Sequence, residues 1–138
     1  MVKQLLHPAE IETYYILPTI RRQLAVFMKE TGMQQKQIAS LLGIQEAAVS
    51  QYLSNKRGHS FDFKEDMLIE IRKSAAAITD GLSLIRETNR LLQLLRTSKV
   101  LCDIHRLYSQ VPDACQPKET GCDEYRGVPD VPNARIRY

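Results

Sequence analysis

The chain has 138 residues, 43% hydrophobic and 25% charged, which is the size and balance of one globular domain or a small domain with an appendage. The N-terminal MVKQLLHPAE has no run of signal-peptide length, and nothing approaches the roughly 20 apolar residues of a membrane span; a cytoplasmic protein with no membrane partner is expected. The net charge of +3 is unevenly placed. Residues 1–60 hold seven Lys/Arg against four Asp/Glu and the remainder is balanced, so the excess lies in one half, as suits a phosphate-facing surface.

The pattern predicts an all-α chain. Ile16, Leu17, Ile20, Leu24, Phe27 and Met28 recur at helical spacing over about 10–31, with Pro18 in the first turn, where its missing N–H costs nothing, and Thr31-Gly32 as the stop. Two short helices follow, over about 34–42 and 45–54, and then the polar turn SNKRGHS. Asp62 is placed to cap the next helix, with Glu65 as capping-box partner and Met67, Leu68, Ile71, Ala75 and Ile78 on its buried face. Asp80-Gly81 breaks the pattern. The following helix carries Leu82, Ile85, Leu92 and Leu95, flanked by Leu84, Leu91 and Leu94, a stripe too wide for a monomer's exposed edge. Ser98 is expected to cap a last helix reaching about Tyr108. Beyond Gln110 the residues turn to Pro, Gly and Asp, which predicts loop, or disorder unless something ties it down. Tyr14 and Tyr15 read as core, and His7 and His59 as surface or phosphate-side residues.

The stretch QKQIASLLGIQEAAVSQYLSNKRG, from Gln35 to Gly58, holds the main functional signal. Two helices meeting steeply across a short turn need a small residue in the first, so that the second can approach. They need Gly in the turn for a positive φ, and apolar residues on both inner faces. Ala39, Gly43, and Ile38, Leu42, Ile44, Val49 and Tyr52 stand in those places. An ordinary helical hairpin would not require all seven together. The second helix lacks the usual Lys/Glu surface pairs and turns Glu46, Ala47, Ser50 and Gln51 outward, small or hydrogen-bonding groups suited to base edges. This is a helix-turn-helix pattern, and its implied partner is double-stranded DNA.

Together, LPTIRRQLA, QIASLLGIQEAAVSQYLSNKRG and VLCDIHR resemble the XRE, or lambda-repressor-like, family of transcriptional regulators. The helix-turn-helix part covers about 17–78, and the tail resemblance rests on Cys102, His105 and the two later Cys. The resemblance implies a five-helix DNA-binding domain docking as a homodimer on a pseudo-palindromic operator. In such docking the N-terminal residues of the second helix meet the bases. Glu46 can accept from cytosine N4, Gln51 can pair with adenine, and Ala47 can pack on a thymine methyl. Gln45, at the cap position where Ser or Thr is commoner, is free to turn toward DNA. Gln35 and Lys36 open the first helix facing phosphate, and Asn55, Lys56 and Arg57 follow the second on its other side. Arg21 and Arg22 read equally well as solvated helix charges.

The three Cys fall in the pattern Cys102-x2-His105-x9-Cys115-x6-Cys122. Cys102 and His105 share a helix face, and the later two lie on a loop long enough to fold back over it. Four such groups complete a zinc set or, with three thiolates, an iron–sulfur set. The short C-x2–4-C knuckles usual in structural zinc sites are absent, and three spaced Cys with one other ligand resemble iron–sulfur transcription regulators. Asp103, Asp123, Glu124 or a partner chain's group are alternatives to His105, and three unconnected Cys is the plain alternative to any metal. The odd count argues against a disulfide scaffold.

The expectation is therefore a homodimeric DNA-binding regulator. Residues 1–80 would form the DNA-binding domain, and 81–138 a dimerisation helix and Cys-containing tail sensing iron, redox or sulfur status. The alternative is a repressor or antitoxin with structural zinc or no metal. An enzyme is not expected: Cys102 with His105 as base would be a thiol nucleophile without paired acid–base groups or a Gly-rich phosphate loop.

Overall fold

His7 starts the first helix. Its Nδ1 accepts from the Ala9 N–H at 3.1 Å, while the Glu10 carboxylate accepts from the His7 N–H at 2.7 Å, and Pro8 follows where no N–H is needed. The computed structural model describes residues 4–122, whose regular elements are all helices, with no strand among them. The chain is all-α. Helix α1 (Pro8–Ile11) runs through a π turn (Glu12–Ile16) directly into α2 (Leu17–Glu30). Pro18 therefore does not open a helix, as the sequence suggested, but sits inside a continuous one. The Leu17 N–H reaches back five residues to the Glu12 carbonyl, and this widened register just before Pro18 absorbs the bond that proline cannot make.

Gly32, at φ +93°, ends α2, and α3 (Gln35–Leu42) and α4 (Glu46–Leu53) follow. Helix α5 (Glu65–Ala77) begins later than expected. Lys64, not Asp62, holds the cap position, in extended backbone and without a side-chain bond. Phe61 and Phe63 pack edge to face with centroids 5.0 Å apart. Alternate residues of an extended segment share a side, so this pair leaves Asp62 exposed. Asp80 caps α6 (Gly81–Thr97): its carboxylate accepts from the Ser83 N–H at 2.8 Å, and Ser83 Oγ accepts from the Asp80 N–H at 2.9 Å. Ser98 ends α6 instead of capping the next helix. Lys99 makes the turn at φ +65° before α7 (Val100–Tyr108), and α8 (Pro117–Thr120) is one short turn beyond.

Helix α2 lies at the centre, against α3, α4 and α5; α6 packs on α3, α5 and α7, and α7 returns to α1. One apolar core runs from Ile11 to Ile104, through Ile20, Leu24, Ile71, Leu91 and Leu95. Each such side chain contributes roughly 1.5–3 kcal/mol on burial. The core is continuous across residue 80, where the sequence divides at the Asp80 cap. The wide stripe of α6 is split: Leu91, Leu92 and Leu95 are buried, whereas Leu82 is 78% and Ile85 59% exposed. Tyr14 is exposed and not core; Tyr15 stacks on Tyr108 at 4.1 Å. Asp123, Glu124 and the rest of the Pro-containing tail lie outside the described residues.

Candidate nucleic-acid interface and cysteine segment

The junction of α3 and α4 is built by Gly43, whose φ of +63° is open to glycine without a Cβ penalty. Its N–H bonds to the Ser40 carbonyl at 3.3 Å and the Ile44 N–H to the Ala39 carbonyl at 3.0 Å. This Schellman pairing satisfies two carbonyls that the helix end would otherwise orphan. Ile38, Ala39, Leu42, Val49 and Tyr52 are buried and Ile44 is half-buried, so all seven positions occupy the roles their residue types suggest. Leu84 of α6 backs the turn, with its Cδ2 3.9 Å from where a Cβ on Gly43 would stand.

Opposite that inner face, Glu46, Ala47, Ser50 and Gln51 are exposed along one side of α4. Gln45 is exposed in extended backbone before it and makes no cap bond. Lys36 is exposed at the start of α3 and Gln35 is half-buried. The cap there involves Gln37, whose side chain accepts from the Gln34 N–H at 3.3 Å.

Helix α4 ends as α3 does, but with Asn55 at φ +60° in glycine's place; Asn tolerates this region better than most residues. The Lys56 N–H bonds to the Gln51 carbonyl at 2.9 Å and the Asn55 N–H to Tyr52 at 3.3 Å. The loop beyond is then fixed to its surroundings. Asn55 Oδ1 accepts from Arg22 Nε at 2.9 Å. Gly58, buried at φ +71°, packs so tightly that a Cβ would lie 2.5 Å from the Pro18 carbonyl oxygen. Arg57 lies over the Tyr52 ring at 5.5 Å, and the Tyr108 hydroxyl donates to the Ser60 carbonyl. Asn55, Lys56 and Arg57 themselves are exposed.

The ion pairs sharpen the charge asymmetry. Among the described residues every paired cation lies beyond residue 70: Arg72 with Glu30, Lys73 and Arg90 with Glu70, Arg90 with Glu87, and Arg96 with Glu12. Two of the few carboxylates of the N-terminal half are thus engaged by later arginines, while Arg22, Lys36, Lys56 and Arg57 stay without an ion pair. Sequence reasoning left Arg22 undecided and passed over Tyr108. Nothing in spacing shows that a helix-end tyrosine returns to a loop 48 residues earlier.

Cys102 and His105 lie one turn apart on α7, and Cys115 and Cys122 flank α8; all four are half-buried, and the thiols are unbridged. His105, Cys115 and Cys122 line one cavity of about 670 Å³ together with Leu5, Leu6 and Val111. Burial, then the nearness of Cys122 and Cys115, pushes the Cys102 thiol above its ordinary pKa. His105 Nε2 is 2.6 Å from the Leu6 carbonyl. A carbonyl only accepts, so Nε2 carries the proton and Nδ1 is the nitrogen left to ligate. The Arg106 guanidinium donates to the Cys115 carbonyl at 3.1 Å, tying the tail to α7. The donor chemistry fits a soft metal centre. In the geometry described, however, no three Cys, His, Asp or Glu side chains converge to hold a metal ion among the described residues.

No protein-family model, curated protein or solved structure matches the chain. Among the described residues no helix is long and apolar enough to cross a membrane.

Proposed function

We propose that the chain is a transcriptional regulator that binds double-stranded DNA through α3 and α4, in the manner of the lambda-repressor-like five-helix domains it resembles. The observation that carries this reading is the exposed row Gln45, Glu46, Ala47, Ser50 and Gln51 on a helix whose other face is buried against α3 across Gly43. That row offers donors, acceptors and a methyl to the major groove. Lys36, Lys56 and Arg57, without carboxylate partners among the described residues, flank it as phosphate ligands, and Gln35 and Asn55 add neutral donors there. Reading a pseudo-palindrome takes two copies, and the second copy is proposed to dock on the exposed Leu82 and Ile85 of α6, behind the turn. A cytoplasmic location is part of this proposal. Selection from a pool of random duplexes with the full chain tests the reading. Enrichment of an inverted repeat supports it, and recovery of unselected sequence at every round counts against it.

A second reading concerns the tail. The shared cavity lined by His105, Cys115 and Cys122, with Cys102 one turn from His105 on α7, favours a thiol-ligated centre, for which His105 offers Nδ1 as a fourth donor. We propose an iron–sulfur centre, with structural zinc as the alternative. An iron–sulfur centre would supply an iron- and redox-dependent charge at this site, and zinc a fixed tie. Iron, sulfide and zinc analysis of protein purified without oxygen separates the two, and metal-free protein removes both.

A further inference from the structure

We propose that Tyr108 is a positioning residue for the loop at residues 55–60, whose Asn55, Lys56 and Arg57 the DNA-binding reading assigns to the phosphate backbone. The loop has three anchors. Arg22 holds Asn55 and the Pro18 backbone holds Gly58, both from α2, whereas Ser60 is held by the Tyr108 hydroxyl from α7. Between these points Lys56, Arg57 and His59 are exposed. Cations already ordered before DNA arrives lose less freedom on binding, so each anchor raises affinity for any sequence.

Tyr108 suits this role because its own position is fixed twice. Its ring stacks on Tyr15 at 4.1 Å with planes 8° apart. Ser109, the next residue, is buried, accepting from the Leu6 N–H at 2.7 Å and donating to the Gln4 carbonyl at 3.1 Å. One turn upstream, His105 holds the Leu6 carbonyl. The helix that presents Cys102 and His105 to the tail is thus the helix that holds the far end of the loop.

The test compares the full wild-type chain with Tyr108→Phe, which keeps the stack and removes the hydroxyl, and with Tyr108→Leu, which removes both. Affinity is read on a random 30-base-pair duplex and on a selected one, with Tm and amide exchange measured alongside. Tyr108→Phe is expected to weaken both duplexes alike, about three- to ten-fold, the range of one lost hydrogen bond. Amide exchange should rise within residues 55–60, with Tm within a few degrees of wild type. Tyr108→Leu should show the same pattern more strongly, with a lower Tm. Wild-type affinity in Tyr108→Phe overturns the proposal, as does exchange that rises evenly over the whole chain. If the wild type itself binds neither duplex, the DNA-binding reading fails and this role fails with it, an outcome distinct from a mutant that matches a binding wild type.

Discussion

Arg22 and Asn55, separated by 33 residues, are joined by a 2.9 Å bond from Nε to Oδ1. The bond brings α2 against the loop that follows α4, and Gly58 is pressed into the same corner. A Cβ on Gly58 would stand 2.5 Å from the Pro18 carbonyl oxygen and 2.9 Å from the Arg22 Cβ, whereas one on Gly43 would meet nothing closer than 3.9 Å. The two glycines should therefore respond differently to the same change. Gly43→Ala is expected to cost about 1–2 kcal/mol for its left-handed backbone alone. Gly58→Ala adds an overpacking cost of about 1–3 kcal/mol, because backbone must shift. Equal losses in urea melts of the two variants would contradict this packing.

Leu82 and Ile85 are exposed on the outer face of α6, while Leu84 beside them backs the helix-turn-helix. If the second copy docks there, Leu82→Glu or Ile85→Glu should yield a folded monomer by sedimentation. Operator affinity should fall about 100-fold, since the second half-site is no longer tethered. A variant still dimeric at micromolar concentration would move the interface elsewhere.

The pH dependence of stability should follow the Glu70–Glu87–Arg90 cluster and the Asp80 cap. Hydrogen bonds from Arg90, then Lys73, hold Glu70 below its ordinary pKa. Burial pushes Glu87 upward, but Arg90 and Ser74 outweigh it and its pKa is also lowered. The Ser83 N–H and hydroxyl lower Asp80. Folded values below unfolded ones mean that this stabilisation is complete above the unfolded pKa, about 4, and is lost as pH falls through the folded values. Tm should therefore be flat from pH 7 to 5 and fall toward pH 3. Arg90→Met should lower Tm at pH 7 by a few degrees and make the acid fall shallower. A wild-type Tm equal at pH 5 and pH 3 would refute the assignment.

The short helices were legible because their chemistry is local: a small residue, a glycine and apolar positions at fixed offsets leave little freedom, and Ile38, Ala39, Val49 and Tyr52 are buried as their spacing implies. The misreadings have non-local or register causes. Pro18 marks a helix start only if the chain before it is not already helical, and a π turn breaks that inference. Asp62 has the composition of a cap, but the Phe61–Phe63 contact keeps the chain extended past it. The pairing of Arg22 with Asn55 and of Tyr108 with Ser60 depends on how helices stack, which periodicity does not encode.

The tail gives a separate prediction. If the three thiols share one centre, Cys102→Ser, Cys115→Ser and Cys122→Ser should each abolish metal retention, since a hydroxyl is a poor substitute for thiolate. His105→Ala should retain metal more weakly. All four should keep the helical circular dichroism of the wild type, because most of the core precedes residue 102. Unchanged metal content in any single Cys variant would show that its sulfur is not a ligand.

The central claim divides α4 and its following loop into groups that read bases and groups that hold phosphate, and paired titrations test that division most directly. Wild type, Gln51→Ala and Lys56→Ala are titrated with a selected duplex and a scrambled one across a range of salt. Gln51→Ala should lose about 1–3 kcal/mol on the selected duplex and nearly nothing on the scrambled one. Lys56→Ala should weaken both alike, with the salt slope reduced by about one unit. If the two variants instead change both duplexes identically, or if neither changes either, α4 is not a recognition helix and the account fails.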